Sequence, residues 1–320
     1  MTRPTLLVTR CLPEPVSERA RAEFDARLNQ PDIGWTGPEI AALAEGADAV
    51  LCFSCDRLDA AAIAALPPTV KVLATCSAGY DHIDMAACRA RGLPVTNTPE
   101  VLSVATAETA MMLVMMAARR AGEGERLVRS GKWTGWAPML LLGTQISGKR
   151  MGILGMGRIG RELAKMARGF SMEIHYRNRS RLTPDLELGA TYHDNDDSFL
   201  AACDVLVLTA PGGESTRKWV NAERLAKLPR GAIFVNAARG TLVDDPALIA
   251  ALHSGQVGFA GLDVYDGEPN INPGYLSLQN AVLLPHMGSS TTETRAAMGM
   301  LSLDGIQAIL EGRTPGNLIA

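Results

Sequence analysis

The chain has 320 residues, of which 47% are hydrophobic and 20% charged, with a net charge of −3 at neutral pH. That composition describes a globular protein with room for two domains and a large core, and it excludes a predominantly disordered chain. A sequence pI near 6.0 gives no general attraction for nucleic acid or an anionic membrane, so neither is expected as a partner and any anion must be held by local clusters.

Residues 1–10 lack the apolar run and small-residue cleavage site of a secretory leader, which points to a cytoplasmic protein. The six cysteines fall in or beside apolar segments. Cys52 and Cys55 form a C-x-x-C, but no second pair or histidine cluster completes a metal site, so reduced thiols and no metal are expected.

Between residues 5 and 95, short apolar runs alternate with helical patterns: 6–8 then 15–28, 49–52 then 58–66, 70–74 then 83–91. Such alternation predicts a parallel sheet covered by helices. The loop Cys76-Ser77-Ala78-Gly79-Tyr80-Asp81 directly follows a strand, where ligands of open α/β sheets gather. It is a candidate for substrate contact, or a tight turn capped by Asp81.

Asn97-Thr98-Pro99 breaks the pattern and leads into a long helix predicted over 103–130. Residues 101–118 are apolar enough to compare with a membrane span. Glu108, Ser103, Thr106 and Thr109 within them, with Arg119 and Arg120 closing them, favour a buried helix instead. The next loop carries Trp133 and Trp136, which either anchor it in a core or against a partner, or wall a substrate pocket.

Residues 149–160, KRMGILGMGRIG, read as a strand, a glycine turn and a helix start. In that context Gly155 makes the tight turn, Gly157 lets backbone approach a pyrophosphate, and Gly160 allows close helix–strand packing. The pyrophosphate would sit on the helix N-terminus. A second strand over 172–176 ends in Arg177-Asn178-Arg179-Ser180-Arg181 rather than in the acid that grips a ribose 2′-hydroxyl. Three guanidinium groups suit a 2′-phosphate, so NADPH is the expected cofactor, with NADH a weaker substitute.

Strands are predicted at 204–208, 232–236, 258–262 and 282–284, with helices over 221–228, 244–253 and 291–311. Three strand ends carry chemistry: Arg239, able to grip a carboxylate; Asp263 and Glu268; and His286. Reducing a 2-keto acid requires a cation for the carboxylate, a hydride donor, and an acid for the nascent alkoxide. Arg239 suits the first task and His286 the last, with Glu268 on the other ring nitrogen favouring imidazolium.

Over nearly its whole length the sequence resembles the D-2-hydroxyacid dehydrogenases, within them the glyoxylate/hydroxypyruvate reductases. The resemblance rests on residues 77–81, the glycine loop, Ala237-Ala238-Arg239-Gly240, Gly261-Leu262-Asp263-Val264 with Glu268-Pro269, and Pro285-His286-Met287-Gly288-Ser289. It implies an α/β protein with a Rossmann-like cofactor domain (101–286) inserted into a flavodoxin-like substrate domain (1–100 and 287–320), around a cleft that closes on substrate.

By that resemblance Arg239, Glu268 and His286 are catalytic. Thr106, Gly155, Met156, Gly157, Arg158, Ile159, Gly160, Ala210, Pro211, Thr216, Ala237, Ala238, His286 and Gly288 line the cofactor, with Arg177 to Ser180 at its phosphate and Asp263 at the carboxamide. Leu51, Ser77, Ala78, Gly79, Arg239, His286 and Trp136 meet the substrate. A homodimer is implied, in which Trp136 reaches the neighbour's pocket. The expected reactions are glyoxylate to glycolate and hydroxypyruvate to D-glycerate. The alternatives are a bulkier 2-keto acid and, more remotely, a dinucleotide-sensing protein of corepressor type.

Overall fold

Two parallel sheets, each flanked by helices, organise the chain in the computed structural model, which describes residues 3–320. The chain divides into two compact units, Met1–Leu102 with Ser289–Ala320, and Ser103–Gly288.

In the first unit β1 (Thr5–Val8), α1 (Glu14–Glu23), β2 (Asp25–Leu28), α2 (Gly37–Leu43), β3 (Ala49–Cys52), α3 (Ala60–Ala65), β4 (Val72–Thr75), α4 (Met85–Arg91) and β5 (Val95–Thr96) alternate. The strand order is β2-β1-β3-β4-β5, the flavodoxin-like arrangement. Strands β3 and β4 are buried at every position, which explains their unbroken apolar runs: helices cover both sheet faces. The C-terminal helix (Thr292–Leu310) belongs to this unit and packs on β4 and α1.

The helix predicted over 15–28 stops at Glu23. Phe24 turns extended, and residues 25–28 pair in parallel with β1. Asp25-Ala26-Arg27-Leu28 alternates with a period of two, and its charged members suit a sheet edge. The cap of α4 is Asp84, which accepts the Ala87 N–H at 2.9 Å, in place of the predicted Asp81.

The second unit begins with α5 (Ser103–Ala118) and α6 (Ala121–Arg129). Next come β6 (Arg150–Leu154), α7 (Arg158–Gly169), β7 (Glu173–Arg177), α8 (Pro184–Glu187), β8 (Thr191–Tyr192), α9 (Asp196–Ala201) and β9 (Val205–Leu208). The unit closes with α10 (Ala222–Ala226), β10 (Ala232–Asn236), α11 (Asp245–Ser254), β11 (Val257–Leu262) and β12 (Ala281–Leu283). Its strand order, β12-β11-β10-β9-β6-β7-β8, reverses between β6 and β9, the Rossmann switch point beside which dinucleotides bind.

The single helix expected over 103–130 is two helices. Arg120 adopts a left-handed φ of 53° between them, and Thr144 donates its N–H to the Ala118 carbonyl at 2.7 Å. Gly122 and Gly124 follow the break in the first turn of α6, and a distant segment supplies the bond that caps α5. Helix α5 is buried over most of its surface, and among the described residues no helix is long and apolar enough to cross a membrane. All six thiols are free; Cys11 and Cys55 are exposed and the other four buried.

Candidate active site

The glycine loop is built as a cradle. Gly155 has φ +94°, and a Cβ there would fall 2.4 Å from the Ala210 Cα, so only glycine lets the loop pass the end of β9. A Cβ on Gly157 would meet nothing within 4 Å. The loop therefore leaves open space at the start of α7, where first-turn amides lack helical acceptors, and this fits a bound pyrophosphate. Thr209 closes the loop from below, its hydroxyl donating to the Gly155 carbonyl at 2.8 Å.

The end of β7 differs from a cluster of three equivalent cations. Asn178 turns inward, its Oδ1 accepting the Met156 N–H at 2.7 Å. Arg177 pairs with Asp196 at 3.2 Å and also donates to the Asn178 carbonyl. Arg181 pairs with the buried Glu187 at 2.8 Å. Arg179 and Ser180 are exposed, and Arg179 has no ion pair among the described residues. Two of the three guanidinium groups are thus already matched by carboxylates that the local sequence did not reveal as their partners.

Further along, Thr216 donates to the carbonyls of Pro211 at 2.9 Å and Gly213 at 3.1 Å, closing the turn after β9. After β10, Asn236 accepts the Ala238 N–H at 3.0 Å and donates to the Arg239 carbonyl at 2.9 Å. This side chain folds Ala237, Ala238 and Arg239 into a fixed turn. Its signal in the sequence is an Asn at the strand end, a known builder of Asx-turns. The half-buried Arg239 directs Nη1 to the Ala238 carbonyl at 2.8 Å.

Glu268 and His286 meet. The Glu268 Oε2 lies 2.7 Å from the His286 Nδ1, while Oε1 accepts the Tyr265 N–H at 2.7 Å. Burial pushes the Glu268 carboxyl upward, but the hydrogen bond and charge of His286, the Tyr265 N–H and the Arg239 charge outweigh it. The net position is below the ordinary glutamate range. Both side chains remain open to solvent, His286 by 39% and Glu268 by 31%.

His286 has a left-handed φ of 52°. The adjoining Asp263, only 1% exposed, maintains that turn. Its backbone carbonyl accepts the His286 N–H at 2.8 Å, and its two carboxylate oxygens accept the N–H groups of Met287 at 2.7 Å and Gly288 at 2.8 Å. Burial raises the Asp263 carboxyl, against the pull of these bonds and of His286. Thr106 packs beside Gly288, its methyl 3.4 Å from where a Cβ on that glycine would lie.

In the first unit the Ser77–Gly79 segment is held by its own network. Ser77 donates to the Gly79 carbonyl at 2.6 Å and lies 2.8 Å from the Thr75 hydroxyl, which in turn lies 2.9 Å from the His82 Nε2. Asn97 donates to the Ala78 carbonyl at 2.8 Å. Leu51, expected to meet substrate, is instead fully buried in β3, because that strand is covered on both faces. Trp136 is 83% exposed and Trp133 52%, so neither anchors its loop in a core.

Residues 111–288, more than half of the chain, match the profile of the NAD-binding domain of D-isomer specific 2-hydroxyacid dehydrogenases. The chain belongs to this family. Among the 2-hydroxyacid dehydrogenases to which it is similar is the glycerate dehydrogenase of Hyphomicrobium methylovorum, 42% identical over 98% of both chains. The glyoxylate reductase of Thermococcus kodakarensis is 38% identical over 99% of this chain and 96% of that one. The NADPH-dependent glyoxylate/hydroxypyruvate reductase of Sinorhizobium meliloti, solved with NADP and malonate, has a TM-score of 0.89 at 32% identity, covering 100% of this chain and 97% of that one. Membership makes this chain a nicotinamide-dinucleotide oxidoreductase.

Proposed function

We propose that this oxidoreductase uses NADPH to reduce glyoxylate to glycolate and hydroxypyruvate to D-glycerate. The observation that carries the reading is the 2.7 Å contact between Glu268 and His286. A bound dinucleotide supplies the hydride for the keto carbon. Arg239 holds the substrate carboxylate and polarises the ketone, and a permanent cation suits both tasks. His286, with Nδ1 held by Glu268, presents Nε2 and gives its proton to the developing alkoxide. Relatives that act on glycerate and glyoxylate support these substrates.

Cofactor choice rests on β7. Its end carries a neutral Asn178, turned onto Met156, and offers the exposed Arg179 and Ser180, where a 2′-hydroxyl-binding acid would stand in an NAD enzyme. Arg177 and Arg181 contribute less than their sequence suggests, since each is paired with a carboxylate. Initial rates of NADPH and NADH oxidation, each with glyoxylate, hydroxypyruvate and phenylpyruvate, test the whole reading. Faster NADPH oxidation with the two small acids is expected. A preference for phenylpyruvate overturns the substrate assignment, and a preference for NADH overturns the cofactor assignment.

The protein acts as a homodimer in this reading. Supporting it, Trp136, Met139 and Leu142 are 83%, 76% and 53% exposed on one short segment, more apolar surface than an isolated loop leaves in water. Six free thiols support a reducing cytoplasm as its setting.

A further inference from the structure

Tyr265 touches all three loops that carry Arg239, Glu268 and His286. Its N–H holds the Glu268 Oε1 at 2.7 Å, leaving Oε2 for the imidazole. Its hydroxyl lies 3.1 Å from the Leu262 carbonyl and 3.0 Å from the Leu284 carbonyl, donating between the two. Leu262 ends β11 directly before Asp263, and Leu284 stands two residues before His286, just past the end of β12. The peptide that follows Tyr265 presses on Gly240, the residue after Arg239: a Cβ on Gly240 would fall 1.7 Å from the Tyr265 carbonyl carbon.

The ring itself is buried edge-on against Tyr275, with centroids 6.2 Å apart, and Tyr275 donates its hydroxyl to Asp245 at 2.7 Å. A phenylalanine would fill the same apolar space. The Leu284 N–H also reaches the Leu262 carbonyl at 2.8 Å, and Asp263 holds the His286 turn through its own bonds. The phenol hydroxyl adds to these a link that ties Tyr265, and with it the backbone that grips Glu268, to the Leu284 carbonyl.

We propose that Tyr265 is a positioning residue that keeps the carboxylate of Glu268 and the backbone of His286 in register, so that the imidazole stays on Glu268 through turnover. This rests on the acid role given to His286 above. Without the hydroxyl Tyr265 loses its hold on the Leu284 carbonyl, the backbone that grips Glu268 shifts against the His286 turn, and the Glu268 contact lengthens. A more distant carboxylate then favours imidazolium less.

Y265F and, as a control, Y275F are compared with the wild type. Y275F also removes a buried phenol hydroxyl from the same cluster but leaves every contact of Glu268 intact. The His286 imidazole is titrated by NMR, assigned with H286Q, and pH–rate profiles are recorded with glyoxylate. For Y265F we expect kcat to fall about 5-fold or more, the effect of losing one buried hydrogen bond, with KM nearly unchanged. Both the imidazole titration and the limb where rate falls with rising pH move to lower pH. Y275F loses thermal stability without either movement. An unchanged His286 titration in Y265F, or an equal displacement in Y275F, overturns the proposal. If the wild type reduces neither keto acid, the functional reading fails while the NMR titration still decides the role of Tyr265.

Discussion

The Met156 N–H donates to the Asn178 Oδ1 across 2.7 Å, so a residue at the end of β7, where we propose that the cofactor is selected, also fixes the glycine loop. An aspartate in that place keeps the acceptor and adds a negative charge beside the proposed 2′-phosphate. N178D is therefore expected to fold normally, to lose about 10-fold or more in kcat/KM for NADPH, and to change little with NADH. Parallel kinetics with both cofactors check this. A variant that keeps its NADPH preference shows that the charge at residue 178 is not read.

Arg179 and Arg181 lie two residues apart, yet they are not equivalent, since Glu187 holds only the second, at 2.8 Å. R179A is expected to raise KM for NADPH by about 10-fold, the scale of one charge-assisted hydrogen bond. R181A changes it far less and instead weakens the segment around α8. Equal effects on KM would mean that the Glu187 pair opens when cofactor binds.

Replacing the proposed acid removes general acid catalysis, so H286A is expected to lower kcat by about two to four orders of magnitude. Near wild-type turnover would exclude His286 from the chemistry.

The lowered position of Glu268 makes a statement about stability. A carboxyl held below its ordinary range favours folding fully above that range, and the contribution is lost as pH falls through the folded-state value. Thermal unfolding of the wild type and E268Q is expected to show the largest difference near neutral pH and a shrinking one below about pH 4. A difference that grows on acidification contradicts the assignment.

The exposed segment bearing Trp136 and Met139 gives a test of assembly. Sedimentation of the wild type is expected to report a dimer, and W136D with M139D a monomer. A wild type that sediments as a monomer removes the inferred assembly.

Much of this architecture is legible in the sequence because periodicity and glycine spacing are local. The β3 and β4 runs, the glycine loop, and the strand ends bearing Arg239, Glu268 and His286 all stand where pattern alone puts them. What escaped depends on distant partners. Strand β2 hides in a charged stretch that only a sheet edge makes intelligible, and the break at Arg120 is stabilised by Thr144. Leu51 falls at a strand end but is sealed from both faces. The arginines after β7 look alike in sequence, and only Asp196 and Glu187, folded back from later elements, distinguish them.

With Nδ1 of His286 occupied by Glu268, one nitrogen serves for both giving and regaining a proton. Each reduction in the proposed cycle consumes one proton from that nitrogen, and the next turnover cannot begin until solvent refills it. The imidazole, 39% exposed, can be refilled by bulk water without a buried relay. Hydrogen ions are thus a third reactant beside keto acid and dinucleotide. The balance between reduction and oxidation shifts tenfold with each unit of pH, even at fixed concentrations of the other two.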